Sequence, residues 1–203
     1  GLVGAYAGLG TQFTDGDLDA TLALGAHAAL AIVNAALYAQ SERERRQNEA
    51  LASLARALGS ATHPNEVLRL ALRHAMALFS AEGADIALKR DEFLHVAAAE
   101  GSARVLQGMF IPINASVSGR AAREVRAIIV NDVDEDPDTY APTRRLAAVR
   151  RCLMAPMLSA NTAVGVISVI NRERPFDVED ARMLQQFAAQ VAVAIVNARL
   201  YEE

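Results

Sequence analysis

The side chains able to do chemistry are sparse in this sequence, and their spacing argues for binding rather than catalysis. Cys152 is the single cysteine; alone it forms no internal disulfide, and it fits a reducing compartment. A redox enzyme built on it would need an exposed thiol of low pKa, whereas a lone cysteine is more often a small buried side chain. His27, His63, His74 and His95 are scattered and make no metal-ligand spacing. A glycine-rich phosphate loop, a nucleophile elbow and paired catalytic carboxylates are missing from the sequence. The expectation is a protein without catalysis and without a metal, and no cofactor is specified.

One segment concentrates charge. Asp132, Asp134, Glu135, Asp136 and Asp138 precede Arg144, Arg145, Arg150 and Arg151. The guanidinium groups suit a phosphate or carboxylate ligand; equally, they can pair with acids so near in sequence and simply close a loop. Tyr140, in the same segment, offers a ring for stacking on a ligand or for anchoring the loop. Upstream, a short helical pattern runs from Ser116 through Glu124, with Ser116 or Ser118 as its cap. Its free N–H groups would receive an anion, as those of any helix start would.

Apolar periodicity predicts the elements that position these residues. A helix is expected over 64–79, with Val67, Leu70, Ala71, Met76 and Leu78 at helical spacing. Strands are expected over 85–89, 93–99 and 108–113, the first two joined by the polar turn Arg90-Asp91-Glu92 as an antiparallel hairpin. Further strands follow at 127–131, 152–158 and 164–171, with a short arginine-rich helix at 143–149. A closing helix starts at Asp177, with Leu184, Phe187, Val191, Ile195 and Ala198 on one face. Helices at both ends of a set of antiparallel strands predict an α+β sheet with the helices packed on one side.

The chain also repeats itself. Phe13-Thr14-Asp15-Gly16-Asp17 resembles Phe176-Asp177-Val178-Glu179-Asp180, and residues 31–38 resemble 194–201, both at an offset of 163. A short apolar run precedes each block, at 2–9 and 164–170. Two domain ends are therefore expected but one domain body, with the N-terminal stump lacking a sheet of its own; the missing initiator methionine fits a cut within a longer protein. From Asp17 to about Leu58 the pattern is one long helix. Leu30, Leu37, Leu51 and Leu58 follow a heptad step that Glu44 interrupts, and residues 41–47 are polar. Such a helix is either a dimer-forming element or a solvated linker.

The order of elements and several local motifs resemble a GAF domain. The motifs are Ser118-Gly119-Arg120-Ala121-Ala122-Arg123-Glu124, Asn131-Asp132-Val133, residues 149–157, residues 164–170, and the closing stretch from Phe176 to Tyr201. Residues 61–203 resemble a complete GAF domain and 1–40 the last strand and helix of a preceding one, with 41–60 a helical linker. The resemblance implies a GAF-like antiparallel sheet with terminal helices on one face and a loop and short-helix lid on the other. It implies a small molecule held under that lid, formed by the Ser116 helix and residues 132–149. The side chains placed around such a ligand are Phe110, Ser116, Asn131, Asp132, Tyr140, Arg150, Cys152 and Met154. Relatives that bind cyclic nucleotides carry Asn-Lys, Phe and Asp-Glu where this chain has Asn171, Arg172, Phe176, Asp180 and Ala181; the departures argue against that ligand. An Arg172–Asp180 ion pair would still lock the last strand to the last helix. Bilin-binding relatives follow the cysteine with histidine, but Leu153 follows Cys152. Methionine sulfoxide reductases of this fold use more than one cysteine.

The function implied is a sensory module that signals through its terminal helices to an output domain, as a homodimer through the long helices. The alternative is a dimerisation scaffold whose cavity is filled by Phe110, Tyr140 and Met154. The formal net charge of −4 and pI near 5.6 supply no field to gather nucleic acid or an anionic membrane. By inspection of the sequence, no apolar run nears the roughly 20 residues of a bilayer span and no signal peptide is recognised. A cytoplasmic protein is therefore expected.

Overall fold

The computed structural model describes residues 1–6, 12–59 and 63–200, and the chain divides into two units, Gly1–Glu49 and Ala50–Glu203. In the first, helix α1 (Asp15–Gly59) starts with a reciprocal cap. The Thr14 N–H donates to Asp17 Oδ2 (2.8 Å) and the Asp17 N–H donates back to Thr14 Oγ1 (3.3 Å). Residues 1–6 form no strand; the rest of the run expected at 2–9 lies outside the described residues. Leu22, Leu24, Leu30, Ile32 and Leu37 are all exposed. The side chains of Leu51 and Leu58, on which the heptad also rests, lie outside the described residues.

One expectation is corrected here. The segment Asp15–Tyr38 is long and apolar enough, by length and composition, to cross a membrane. Its charges, Asp15, Asp17 and Asp19, stand at its start; from Ala20 to Tyr38 the run is broken only by uncharged residues such as Thr21, His27 and Asn34, which lower its apolarity without adding charge.

In the second unit, α2 (Pro64–Phe79) occupies the expected span, with Pro64 in its first turn, where a missing N–H is harmless. Strands β1 (Gly83–Arg90) and β2 (Phe93–Gly101) form the expected hairpin, closed at Asp91-Glu92 with Asp91 at φ 52°. An unforeseen 3₁₀ turn (Ser102–Leu106) then leads to a short edge strand, β3 (Phe110–Pro112). Helix α3 (Val117–Glu124) is capped by Ser116, whose Oγ accepts the Gly119 N–H (3.0 Å). Gly119 must be glycine, because a Cβ there would collide with the Ile113 carbonyl. Strand β4 (Ile128–Val130), helix α4 (Ala141–Leu146), strands β5 (Cys152–Ser159) and β6 (Thr162–Ile170), and helix α5 (Val178–Leu200) complete the chain.

The sheet runs β3-β2-β1-β6-β5-β4 with every neighbour antiparallel. Alternation along each strand divides the core in two. Ala84, Ile86, Leu153, Ala155 and Ile167 face α2 and α5, meeting Leu72, Phe79, Leu184, Phe187 and Val191. Ala87, Val96, Cys152, Val166 and Ile170 face the other way, toward α3 and the segment from Val133 to Val149. The α+β sheet with helices on one face and a lid on the other is therefore the observed fold.

Candidate functional site

Between the open face of the sheet and the lid lies a narrow cavity with about 30 Å³ of free space, room for about two water molecules. Its floor comes from β1, β5 and β6, and its roof from α3, α4 and the loop before α4. Pairing across the floor aligns Met154, Ser168, Asp85 and Ala99 in one row over four strands. Most of the lining is apolar, including Leu106, Ile111, Val117, Val133 and Ile170.

A few polar groups converge on that apolar space. Asp85 is almost fully buried, and its carboxylate accepts one long hydrogen bond from the Ser168 hydroxyl (3.4 Å). Burial pushes its pKa up to about 7, against a smaller opposing effect from Ser168. The Ser118 hydroxyl donates to Met154 Sδ (3.3 Å). Thr139 Oγ1, also in the lining, is buried and has no hydrogen-bond partner among the described residues.

The eight residues expected around a ligand divide evenly. Ser116, Tyr140, Cys152 and Met154 line the cavity together. Phe110, Asn131, Asp132 and Arg150 lie outside that lining. Phe110 is 51% exposed because β3 pairs His95 with Phe110, which turns Ile111 inward and leaves the phenylalanine against His95 and Phe93 at the sheet edge. Asn131 is a strut: it receives the Phe176 N–H (2.8 Å) and donates to the Phe176 carbonyl (3.0 Å). Asp132 accepts the Asp134 N–H within its own turn (3.0 Å). Arg150 pairs with Glu82 (2.8 Å) on the surface.

Arg144 and Arg120 are engaged too. Arg144 pairs with Asp134. Arg120 grips Asp136 (2.6 Å) and Asp138 (2.8 Å), which hold its guanidinium above the usual arginine range. Of the two readings of this charged segment, the geometry favours acids and arginines closing the loop on each other. Cys152 is buried and its thiol is pushed up to about 12, first by burial and then by the charges of Asp136 and Asp85.

Below the cavity, the Asn171-Arg172-Phe176-Asp180 set forms a structural lock. Arg172 is 5% exposed; it bonds Asp180 (2.9 Å) and the carbonyls of Arg174 (3.1 Å) and Pro175 (2.7 Å), with its guanidinium 4.4 Å from the Phe176 ring centre. Burial opposes ionisation of Asp180. The Arg172 and Asp177 hydrogen bonds, with the charges of Arg172 and Arg174, outweigh that and hold the carboxyl below its ordinary range. Asn171, at φ 55°, donates to the Ala148 carbonyl (3.0 Å) and accepts the Arg150 N–H (2.8 Å), fastening the end of the lid to the end of β6. None of these four lines the cavity.

Sequence comparison agrees with this architecture: residues 61–196 match the GAF domain family. The chain belongs to the GAF domain family. Such domains are typically small-molecule-binding sensory or regulatory modules, and the match covers one of them. The GAF domain of a phosphoenolpyruvate-protein phosphotransferase from Coxiella burnetii is 15% identical, with a TM-score of 0.68 over 76% of this chain and 95% of that one. The free methionine-R-sulfoxide reductase from Neisseria meningitidis, solved with its substrate, is 21% identical, with a TM-score of 0.65 over 76% and 90%. The second GAF domain of DevS from Mycobacterium smegmatis is 25% identical, with a TM-score of 0.56 over 68% and 97%.

Asp85 and Thr139 were missed from the sequence. A signal for Asp85 was present: it is the one charged residue in an otherwise apolar start to a strand, Gly83-Ala84-Asp85-Ile86-Ala87-Leu88.

Proposed function

We propose that this GAF domain is a non-catalytic regulatory module that holds a small molecule between β1, β5 and β6 and the lid, and that transmits the occupied state through α5. The carrying observation is an apolar cavity in which a buried carboxylate and an unpartnered threonine hydroxyl converge. Strand β5 supports the coupling, since Cys152 and Met154 face the cavity while Leu153 and Ala155 pack on α5. Asn131, bonded to both backbone groups of Phe176, ties the start of the lid segment to the entry of α5. A ligand that favours one lid position would therefore bias α5, provided it binds the two arrangements with different affinity. The absence of catalysis is supported by the burial and raised pKa of Cys152.

We read the protein as cytoplasmic, acting on an output domain in a longer chain. In the same reading, the first half of α1 is the last helix of a second GAF-like unit. Its support is the repeat. Asp177 and Asp180 cap α5 reciprocally (2.9 Å each way), as Thr14 and Asp17 cap α1 at the same offset. Phe176, Phe187 and Ile195 are buried, whereas their counterparts Phe13, Leu24 and Ile32 are exposed. An antiparallel sheet is the occupant that suits this face, and it accounts for an apolar stretch that would otherwise suit a membrane.

The small free space of about 30 Å³ favours a second reading, a dimerisation scaffold whose cavity stays closed. Native mass spectrometry before and after denaturation separates the two. A native mass above the 21.6 kDa chain by a small organic molecule, released on denaturation, is the expected result. A dimer of bare chain mass, unchanged by metabolite extracts, would refute the ligand reading in favour of the scaffold.

A further inference from the structure

The charge arrangement of the cavity specifies what kind of molecule it suits, on the reading that it is a ligand site. Arg144 reaches the lining but is held by Asp134. Arg120 is held by Asp136 and Asp138, and Arg150 by Glu82. Arg144 and Arg120 are thus committed to lid acids, and Arg150 to an acid outside the lid. Asp85 is the reverse case: a carboxylate on the cavity floor with a single 3.4 Å hydroxyl contact and no cationic partner among the described residues. A carboxylate has room for about four hydrogen bonds, and a buried anion is stabilised by a cation that donates to it.

We propose that the cavity takes a small organic cation, an ammonium compound whose N–H groups are bonded by Asp85 and whose hydrocarbon part lies against Leu106, Ile111 and Val133. A carboxylate or phosphate ligand would meet Asp85 with like charge and find Arg144, the arginine of the lining, engaged by Asp134. The hydroxyls of Ser118 and Thr139 give a bound ammonium compound further polar contacts on the roof side. An ammonium ion also holds Asp85 ionised, so its binding displaces a proton from the carboxyl at acid pH. The other titratable side chains facing this space are Cys152 from β5 and Tyr140 and Arg144 from α4 and its approach; α3 and β2 add no charged group to the lining. Burial keeps the Cys152 thiol protonated, with its pKa at about 12, and Arg144 is paired.

The test uses the full chain and three probes of one size: propylammonium, 1-propanol and propionate. Saturation-transfer NMR and calorimetry are run at pH 6 and pH 8, on the wild type and on Asp85→Asn. Propylammonium is expected to bind at least about ten-fold more tightly than 1-propanol at pH 8, and propionate not at all. Asp85→Asn is expected to abolish that preference. In the wild type, affinity for propylammonium is expected to fall about ten-fold at pH 6, with proton release seen as a buffer-dependent enthalpy. The pH arm needs no variant, so it decides the matter even if Asp85→Asn does not fold. Binding of 1-propanol or propionate as tight as that of propylammonium would overturn the cation assignment while leaving a ligand cavity in place. No binding by any probe, with a bare native mass, would overturn both the assignment and the ligand reading.

Discussion

Replacing Asp85 by asparagine should stabilise the protein, and by an amount that depends on pH. Burial raises the carboxyl from 3.8 to about 7 in the folded state. Because the folded pKa lies above the unfolded one, the folded protein holds the proton longer. This group's effect is therefore small below about pH 4, grows as pH rises toward 7, and is constant at higher pH. At about 1.4 kcal/mol for each pH unit between the two pKa values, ionised Asp85 costs the folded state on the order of 4 kcal/mol. Asparagine has nearly the same shape, keeps an oxygen to accept the long Ser168 bond, and carries no charge in either state. The expected gain is about 4 kcal/mol at pH 8.5 and about 1 kcal/mol at pH 4.5. Urea unfolding at both pH values, in buffers free of amines, measures it. Equal changes at the two pH values, or a loss of stability at pH 8.5, would refute the account of Asp85 as an uncompensated buried carboxylate.

Arg172→Met should destabilise the domain by about 3–5 kcal/mol, since it strands the Asp180 carboxylate and two carbonyls inside the lock; denaturant titration at neutral pH reads this directly. Asp180 has a depressed folded pKa, so its contribution is present above about pH 4 and lost as pH falls below it. The acid limb of the stability profile should therefore flatten in Asp180→Asn. Cys152, buried and with its pKa raised to about 12, should react with a thiol-directed disulfide reagent only at the rate of unfolding; fast labelling of the native protein would overturn the account of an inert core thiol.

Elements whose signals are local were legible without the structure. The span of α2 follows from Pro64 and the helical spacing of its apolar residues. The β1–β2 hairpin follows from a polar turn between apolar runs. The Ser116 cap and the Arg172–Asp180 pair lie within short stretches of chain, so residue type and separation define them. The reciprocal caps of α1 and α5 are local as well, and both fall within the repeated segments.

The cavity is different, because it is assembled from strands far apart in sequence. Whether Phe110 or Ile111 points inward depends on the register of β3 against β2, and a one-residue difference exchanges the two faces. Asn131 and Arg150 were plausible ligand contacts by their place beside the lid, but their partners Phe176 and Glu82 lie 45 and 68 residues away and claim them. Arg120 meets Asp136 and Asp138 only once the lid has folded over α3. Asp85 gains its significance from the sheet order, which brings β6 and β5 beside β1 and leaves its carboxylate in an apolar row with only Ser168 for company. The sequence by itself determined the main helices and strands of residues 64–200 and the Ser116 cap, because those rest on near neighbours. Which side chains share the cavity, and which charge stays unpaired there, was decided by tertiary structure, because pairing and burial are properties of residues brought together only by folding.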